Sequence, residues 1–420
     1  MPTHTPNDHR TDRTLSPSDG AALEQRITDV GHRLSVSIDI LLEAIPGGPR
    51  GPMELARTLG IDKVLASRLL KAARARDPLA VAHLAPGPEP LRRVIRAASR
   101  LGVDADTIAR AGDAVDRFES LIRHDAGDRG GLDAMISAWL PEARDEFELR
   151  RKQSAFKAMS HIRGVYADLT LGTVLLHPSA GGERLDIVWL FGMLGLQRMR
   201  PGATVKLASR RMDHDESPRR PTTLEGEPIE TPEHLRLDAF CSSPLAPLEI
   251  HRIGDVVLYT LGGDAFGPRS GVDLVFAEVN RNEIERYVPA GSGRRGHVFA
   301  EISTPAKALL FDALLHEDVY AGQSPDLFLY DTAFDGVASV NDRSRDIDRL
   351  DLAESVQDLG RGLPAFRTSV VPRYVEMLQL VFDRMGWDDA AFRGHRCRID
   401  YPVYGSQVTM AFTPPSAPGT

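Results

Sequence analysis

Between residues 21 and 45 the apolar side chains return every three or four positions, at Ile27, Val30, Leu34, Ile38, Leu41 and Ile45. That is the period of one helix face. "PGGPRG" then stops the helix. The next stretch, "GPMELARTLGIDKVLASRLLKAARAR" at 51–76, reads as two short helices hinged at Gly60. "LAVAHL" at 79–84 follows as a short strand, "APGPEP" as a loop, and 91–100 as a helix. Further helices fit 104–125 and 131–162, with Pro141 starting the last long one.

At Gly164 the period changes. "VYADLTLGTVLLHP", "ERLDIVWLFGMLGLQRM" and "ATVKLASRRM" read as strands joined by glycine turns, and 213–234 as a long polar loop. "DVVLYTL", "VDLVFAEVN", "HVFAEIS" and "DLFLYD" continue the strands. Thr304-Pro305 has the form of a helix start, which predicts a helix to about His316. Residues 346–359 and 369–386 also read as helices, and "RCRIDYPVYGSQVTMAF" closes the chain with one or two strands. Strands come in runs instead of alternating with helices, so the class is α+β and multi-domain. The expected organisation is a disordered tail at 1–20, an all-α domain at 21–160, an α+β domain at 161–412, and a second disordered tail at 413–420.

Charge sharpens the division. The 420 residues carry a net −8, yet residues 51–100 hold ten Arg and Lys against four Asp and Glu. A locally basic segment in an acidic chain suits a DNA-reading module joined to a different kind of domain, and equally suits a solvated arginine-rich helix face. The N-terminal stretch lacks the apolar core of a signal peptide, and the longest apolar run, 185–197, is too short to span a bilayer. Cys241 and Cys397 lie far apart with no CxxC, and read as buried small side chains in a reducing cytosol. The expectation is a cytoplasmic protein without a membrane partner or metal.

Within 51–76 every structural slot of a helix-turn-helix is filled. Leu55, Leu59, Ile61 and Leu69 take the packing positions, Ala56 is the small contact, Gly60 makes the turn and Asp62 caps the second helix. "LGVDADTIAR" at 101–110 repeats the same Leu-Gly-aliphatic-Asp start as "LGIDKVLASR" at 59–68, which reads as reused capping chemistry. "ELARTLGIDKVLASRLLKAA" resembles the helix-turn-helix of winged-helix transcriptional regulators of the IclR and MarR type, over about residues 50–85. The resemblance implies a winged-helix-like domain, with the module at about 51–85 on double-stranded DNA. Lys63, Ser67 and Arg68 are then the polar candidates for base edges, while Arg57, Lys71, Arg74 and Arg76 suit phosphates. Val64 and Leu65 depart from the pattern, since an aliphatic side chain reaches at best a thymine methyl. The same architecture also serves purely for dimerisation at the N-terminus of small-molecule O-methyltransferases.

The second half offers no catalytic signature. "GSGRRG" at 291–296 matches G-x-G-x-x-G, but strand-like "HVFAEIS" follows where a helix N-terminus is needed, so it reads as a hairpin loop. "GGDAFG" at 262–267 reads as a similar turn. His316-Glu317-Asp318, placed at a helix end, diverge too far to share one metal. Walker, GxSxG and HExxH patterns are absent from the sequence. Trp189, Phe191, Tyr259, Phe276, Phe299, Phe328 and Tyr330 divide between core and a possible ligand pocket. The leading expectation is a bacterial DNA-binding transcriptional regulator without a cofactor. Its C-terminal domain senses a small-molecule effector or mediates assembly, and it acts as a homodimer, with the 21–45 stripe either its seam or packed inside the helical domain. The alternative is a protein that keeps the module for dimerisation or protein interaction. An enzyme, such as a methyltransferase, is the third reading.

Overall fold

A computed structural model describes residues 17–48, 51–211, 221–253 and 256–417. It is mixed α+β: a helical region is followed by a sheet-rich one, and the chain divides into two compact units at Phe147/Glu148. The helices are α1 (Pro17–Ala44), α2 (Pro52–Leu59), α3 (Lys63–Arg74), α4 (Pro78–Leu84), α5 (Pro88–Arg100), α6 (Ala105–Ser120), α7 (Arg129–Ser137) and α8 (Pro141–Arg163). A π-helical turn, Leu121–Ala126, extends α6. The division falls inside α8, earlier than the boundary expected near 160. From Glu148 onward α8 packs with the second unit: the Lys152 ammonium pairs with Glu354, and the Phe156 ring lies 5.9 Å from Tyr166 and 5.4 Å from Tyr401.

In the first unit the α1 stripe is core. Ile27, Leu34, Ile38, Leu41 and Ile45 are each at most 5% exposed. They pack with Leu55, Leu69, Val94, Val115 and Phe118. The stripe therefore packs inside the helical unit, the second of its two readings, and presents no exposed apolar face. Gly31 marks where α1 meets the start of α4. A Cβ there would stand 2.0 Å from the Pro78 carbonyl oxygen, so only glycine permits the approach.

The expected strand at 79–84 is α4. Asp77 accepts a hydrogen bond from the Leu79 amide at 2.9 Å, Pro78 holds the first helical position, and Arg129 donates to the carbonyls of His83 and Ala85 at the far end. Both ends of the segment are thereby capped as a helix. The wing strand of the resemblance has no counterpart there.

The second unit has strands β1 (Val165–Tyr166), β2 (Leu169–Pro178), β3 (Arg184–Arg198), β4 (Lys206–Arg211), β5 (Leu248–Ile253), β6 (Val256–Leu261) and β7 (Val272–Glu285). These are followed by β8 (Gly296–Glu301), β9 (Ala308–His316), β10 (Asp326–Asp331), β11 (Gln357–Arg361), helix α9 (Tyr374–Met385), β12 (Phe392–Asp400) and β13 (Ser406–Phe412). The main sheet runs β1-β3-β2-β9-β12-β11, with β7 also paired to β3, and β2 and β9 are its parallel pair. Two smaller sheets run β10-β13-β8 and β4-β6-β5.

Two expected helices are absent. Residues 304–316 form a loop and β9, because Pro305 accepts from the Ala167 amide at 2.9 Å and the Lys307 amide donates to Ala167 at 3.0 Å. This register draws "ALLFDALLH" between β2 and β12, where it is buried on both faces. A continuous apolar run is what such a central strand shows. Residues 346–359 form the end of a 3-10 turn and β11. The turn closes around buried Arg345, which donates to the carbonyls of Asp331, Asp335, Gly336 and Val337.

"GSGRRG" and "GGDAFG" are not hairpins, since each joins strands of different sheets. His316 ends a strand, not a helix, and its ring lies 4.7 Å from His177. The expected tails fall partly outside the described residues. Of the C-terminal one, Thr413–Ala417 is docked: the Thr413 amide donates to Gln323 and Pro415 accepts from the Val288 amide. Of the expected 213–234 loop, residues 213–220 lie outside the described residues.

Three histidines set a pH dependence. Burial holds the imidazoles of His177, His297 and His395 below their ordinary value. In the unfolded chain they accept protons near pH 6.5, while in the fold they resist them. The unfolded state binds more protons in that window, so stability is complete above about pH 6.5 and declines as the pH falls below it. Urea midpoints of the intact chain at pH 7.5 and 5.5 should differ in that direction; equal midpoints would contradict it.

Candidate nucleic-acid interface

The hinge forms as its residues dictate. α2 ends on Gly60 in the left-handed region, at φ 65°, ψ 36°, and the Ile61 amide donates to the Ala56 carbonyl at 3.0 Å. Asp62 then caps α3 by accepting from the Leu65 amide at 2.8 Å. The repeated motif behaves alike, with Gly102 at φ 84° and Asp104 accepting from the Thr107 amide at 2.9 Å. Leu55 and Leu59 of α2 and Leu65, Leu69 and Leu70 of α3 are buried, which fixes the face each helix leaves outward.

At about 100° per residue, Lys63, Arg74, Ser67 and Lys71 share an arc of about 80° on α3. Three of the four are exposed and Ser67 is half-buried. Lys63 and Lys71 make no ion pair among the described residues. Val64 lies beside this arc and is 70% exposed, so the aliphatic departure in the sequence is a surface feature. Arg57 is exposed on α2, and Arg76 is exposed just beyond the end of α3.

Arg68 stands apart. Its guanidinium donates to the Ala85 carbonyl at 3.3 Å, an acceptor it shares with Arg129 at 3.0 Å. One of its five donors is thereby turned to its own unit. That weakens its fitness as a base reader and leaves a phosphate role open to the rest of the fork.

Part of the basic excess of residues 51–100 is neutralised by partners outside that window. Arg92 on α5 donates to Asp116 at 2.6 Å and to Glu119 at 2.5 Å, both on α6. Inside the window, Arg96 pairs with Glu89 at 2.7 Å, and Arg93 lies 3.8 Å from Asp62. Arg100 alone of the α5 arginines makes no ion pair among the described residues. No pattern within 51–100 foretells the α6 carboxylates, since those contacts depend on how α5 and α6 cross.

The second unit gathers polar side chains at its centre, but as a lock. Thr173 on β2, Asp312 on β9 and Arg396 on β12 stand in register across three strands. Arg396 grips Asp312 with two bonds, at 2.8 and 2.7 Å, and the Tyr374 hydroxyl of α9 donates to Asp312 at 2.7 Å. With that proton committed, Thr173 donates to the Tyr374 oxygen at 2.8 Å. Burial pushes the Asp312 carboxyl up from its ordinary value and Arg396 opposes it. Burial also works against the Arg396 charge, but its bonds to Asp312 outweigh it and hold the guanidinium above its ordinary value. Both oxygens of Asp312 have partners within the unit.

Of the aromatic residues, Trp189, Phe191, Phe276 and Phe299 line one cavity, while Tyr330 is buried beside Phe328. Cys397 is buried, with its thiol pushed up to about 12, and Cys241 is half-buried; neither is in a disulfide. Among the described residues no group of three or more His, Cys, Asp or Glu could hold a metal, and no helix is long and apolar enough to cross a membrane. The chain matches no protein-family model, no curated protein and no solved structure.

Proposed function

We propose that this chain is a cytoplasmic DNA-binding transcriptional regulator whose second unit senses a small molecule. The observation that carries the reading is the arc of exposed Lys63, Lys71 and Arg74 with half-buried Ser67 on α3, a capped helix with a buried apolar underside. A helix presented this way places short and long donors toward a groove and flanks them with cations for phosphate. The reading is of a helix-turn-helix without a wing strand at 79–84. One such helix covers only a few base pairs, so the regulator acts as a homodimer on spaced half-sites, seamed elsewhere than the buried α1 stripe.

A second reading draws on α4 in the wing position and on exposed Val64 and Met53, both better suited to a protein partner than to phosphate. In it the module serves dimerisation or protein interaction. Anisotropy titrations with a fluorescent duplex at low salt separate the two. The intact chain should bind, and Lys63→Glu with Lys71→Glu should weaken binding at least about tenfold, since two cations facing the DNA become anions that its phosphates repel. Absence of binding at low salt, or unchanged affinity in the double variant, would reject the DNA reading.

A further inference from the structure

The main sheet of the second unit carries a cavity of about 350 Å³ that the DNA-binding reading does not use. Its floor follows from strand register. Gly172 on β2, Phe191 on β3 and Phe276 on β7 are directly paired neighbours, as are Trp189 and Glu278 one step along. Because side chains alternate along a strand, Trp189, Phe191 and Met193 share one sheet face. Phe299 and Glu301 of β8, together with Lys206 and Leu207 of β4, complete the walls.

The lining has a distinct chemistry. Phe191 and Phe276 stack with centroids 5.4 Å apart, and Trp189 meets Phe299 edge-on at 6.3 Å. Two carboxylates join these four rings. Glu278 accepts from Asn280 at 2.9 Å, and neither Glu278 nor Glu301 is ion-paired among the described residues. Lys206 brings one positive charge against the two negative ones. Thr170 lines the same space, and its buried hydroxyl oxygen has no hydrogen-bond partner. Gly172 keeps the floor open: a Cβ there would already touch Ala300 and Phe311 at 3.5 Å, and a longer side chain would enter the cavity.

We propose that this cavity binds an organic cation, a protonated or quaternary amine carrying an apolar body. Ring faces attract a cation through their quadrupoles, and that attraction grows as water is displaced. A cation moved off water needs an opposite charge beside it, which Glu278 and Glu301 supply. An anion meets two carboxylates, and a neutral ligand gives neither of them an opposite charge. The volume lies within the range of small-ligand sites. The proposal rests on the ligand-sensing part of the reading above and is independent of its DNA-binding part.

Calorimetric titration of the full chain, without DNA, tests it. The probe is benzyltrimethylammonium, with 3-phenylpropan-1-ol as uncharged control and benzoate as anionic control. The cation should bind saturably at one site, the alcohol at least about tenfold more weakly, and benzoate not at all. Glu278→Gln and Glu301→Gln should each weaken the cation several-fold while leaving the thermal midpoint in place. Because Glu301 is exposed, E301Q carries the comparison alone if E278Q fails to fold. No binding at millimolar cation, equal affinity for the alcohol, or full affinity in the Gln variants would overturn the proposal. DNA plays no part in these titrations, so a failure of α3 to bind DNA is a separate result.

Discussion

Replacing Asp312 by alanine should cost the intact chain about 3–5 kcal/mol, the range for removing one partner of a buried ion pair. The residue is fully buried, and its two oxygens take all the charge-assisted bonds that Arg396 directs into the sheet. Without them Arg396 keeps only the carbonyls of Phe366 and Arg367, at 2.7 and 3.1 Å, as neutral acceptors for a buried charge. The Tyr374 hydroxyl loses its acceptor as well, and with it the polar tie between α9 and β9. Trp387 follows the α9 terminus and stacks on His177, so its fluorescence follows the unfolding in urea. A double variant, Asp312→Leu with Arg396→Met, should recover most of the loss, because two apolar side chains leave no unpaired charge. An unchanged midpoint in D312A would show that the charge finds other partners and that the lock is dispensable.

The second large effect is on DNA affinity and its dependence on salt. If Arg57, Lys63, Arg68, Lys71, Arg74 and Arg76 each neutralise a phosphate, the log–log slope of affinity against salt should approach about −5.4. Raising salt from about 50 to about 200 mM would then weaken binding about a thousandfold. Arg68 makes the slope informative, since its guanidinium is partly committed to Ala85. A slope nearer about −4.5 for the wild type, unchanged in Arg68→Ala, would assign Arg68 to the fold and leave the other five on the backbone. A flat salt dependence would contradict the phosphate contacts altogether.

Much of the first unit was legible because its signals are local. Gly60 and Asp62, and again Gly102 and Asp104, force a turn and a cap through backbone conformation and one short side chain. The same chemistry at Asp77-Pro78 also marks a helix start, and it was outweighed by the strand-like apolar letters of "LAVAHL". β9 failed in the opposite direction. Thr304-Pro305 looks like a helix start, and an apolar run such as "ALLFDALLH" has no period to contradict it. Its pairing with β2 and β12 is decided by segments about 140 residues before it and about 80 residues after it.

For the candidate interface, the basic residues of 51–76 and a hinge at Gly60 between two helices are readable from the residues alone. Periodicity and capping act within a few residues, so they survive without knowledge of the rest of the chain. Long-range packing makes the α1 stripe core, leans Arg68 on Ala85, and spends Arg92 on Asp116 and Glu119. It alone brought four aromatic rings and two carboxylates from β3, β7 and β8 around one cavity. An apolar stripe states that a face must be covered, but not by what; a charge states that it needs solvent or a partner, but not which. Both answers depend on long-range packing, where a contact is set by two segments at once.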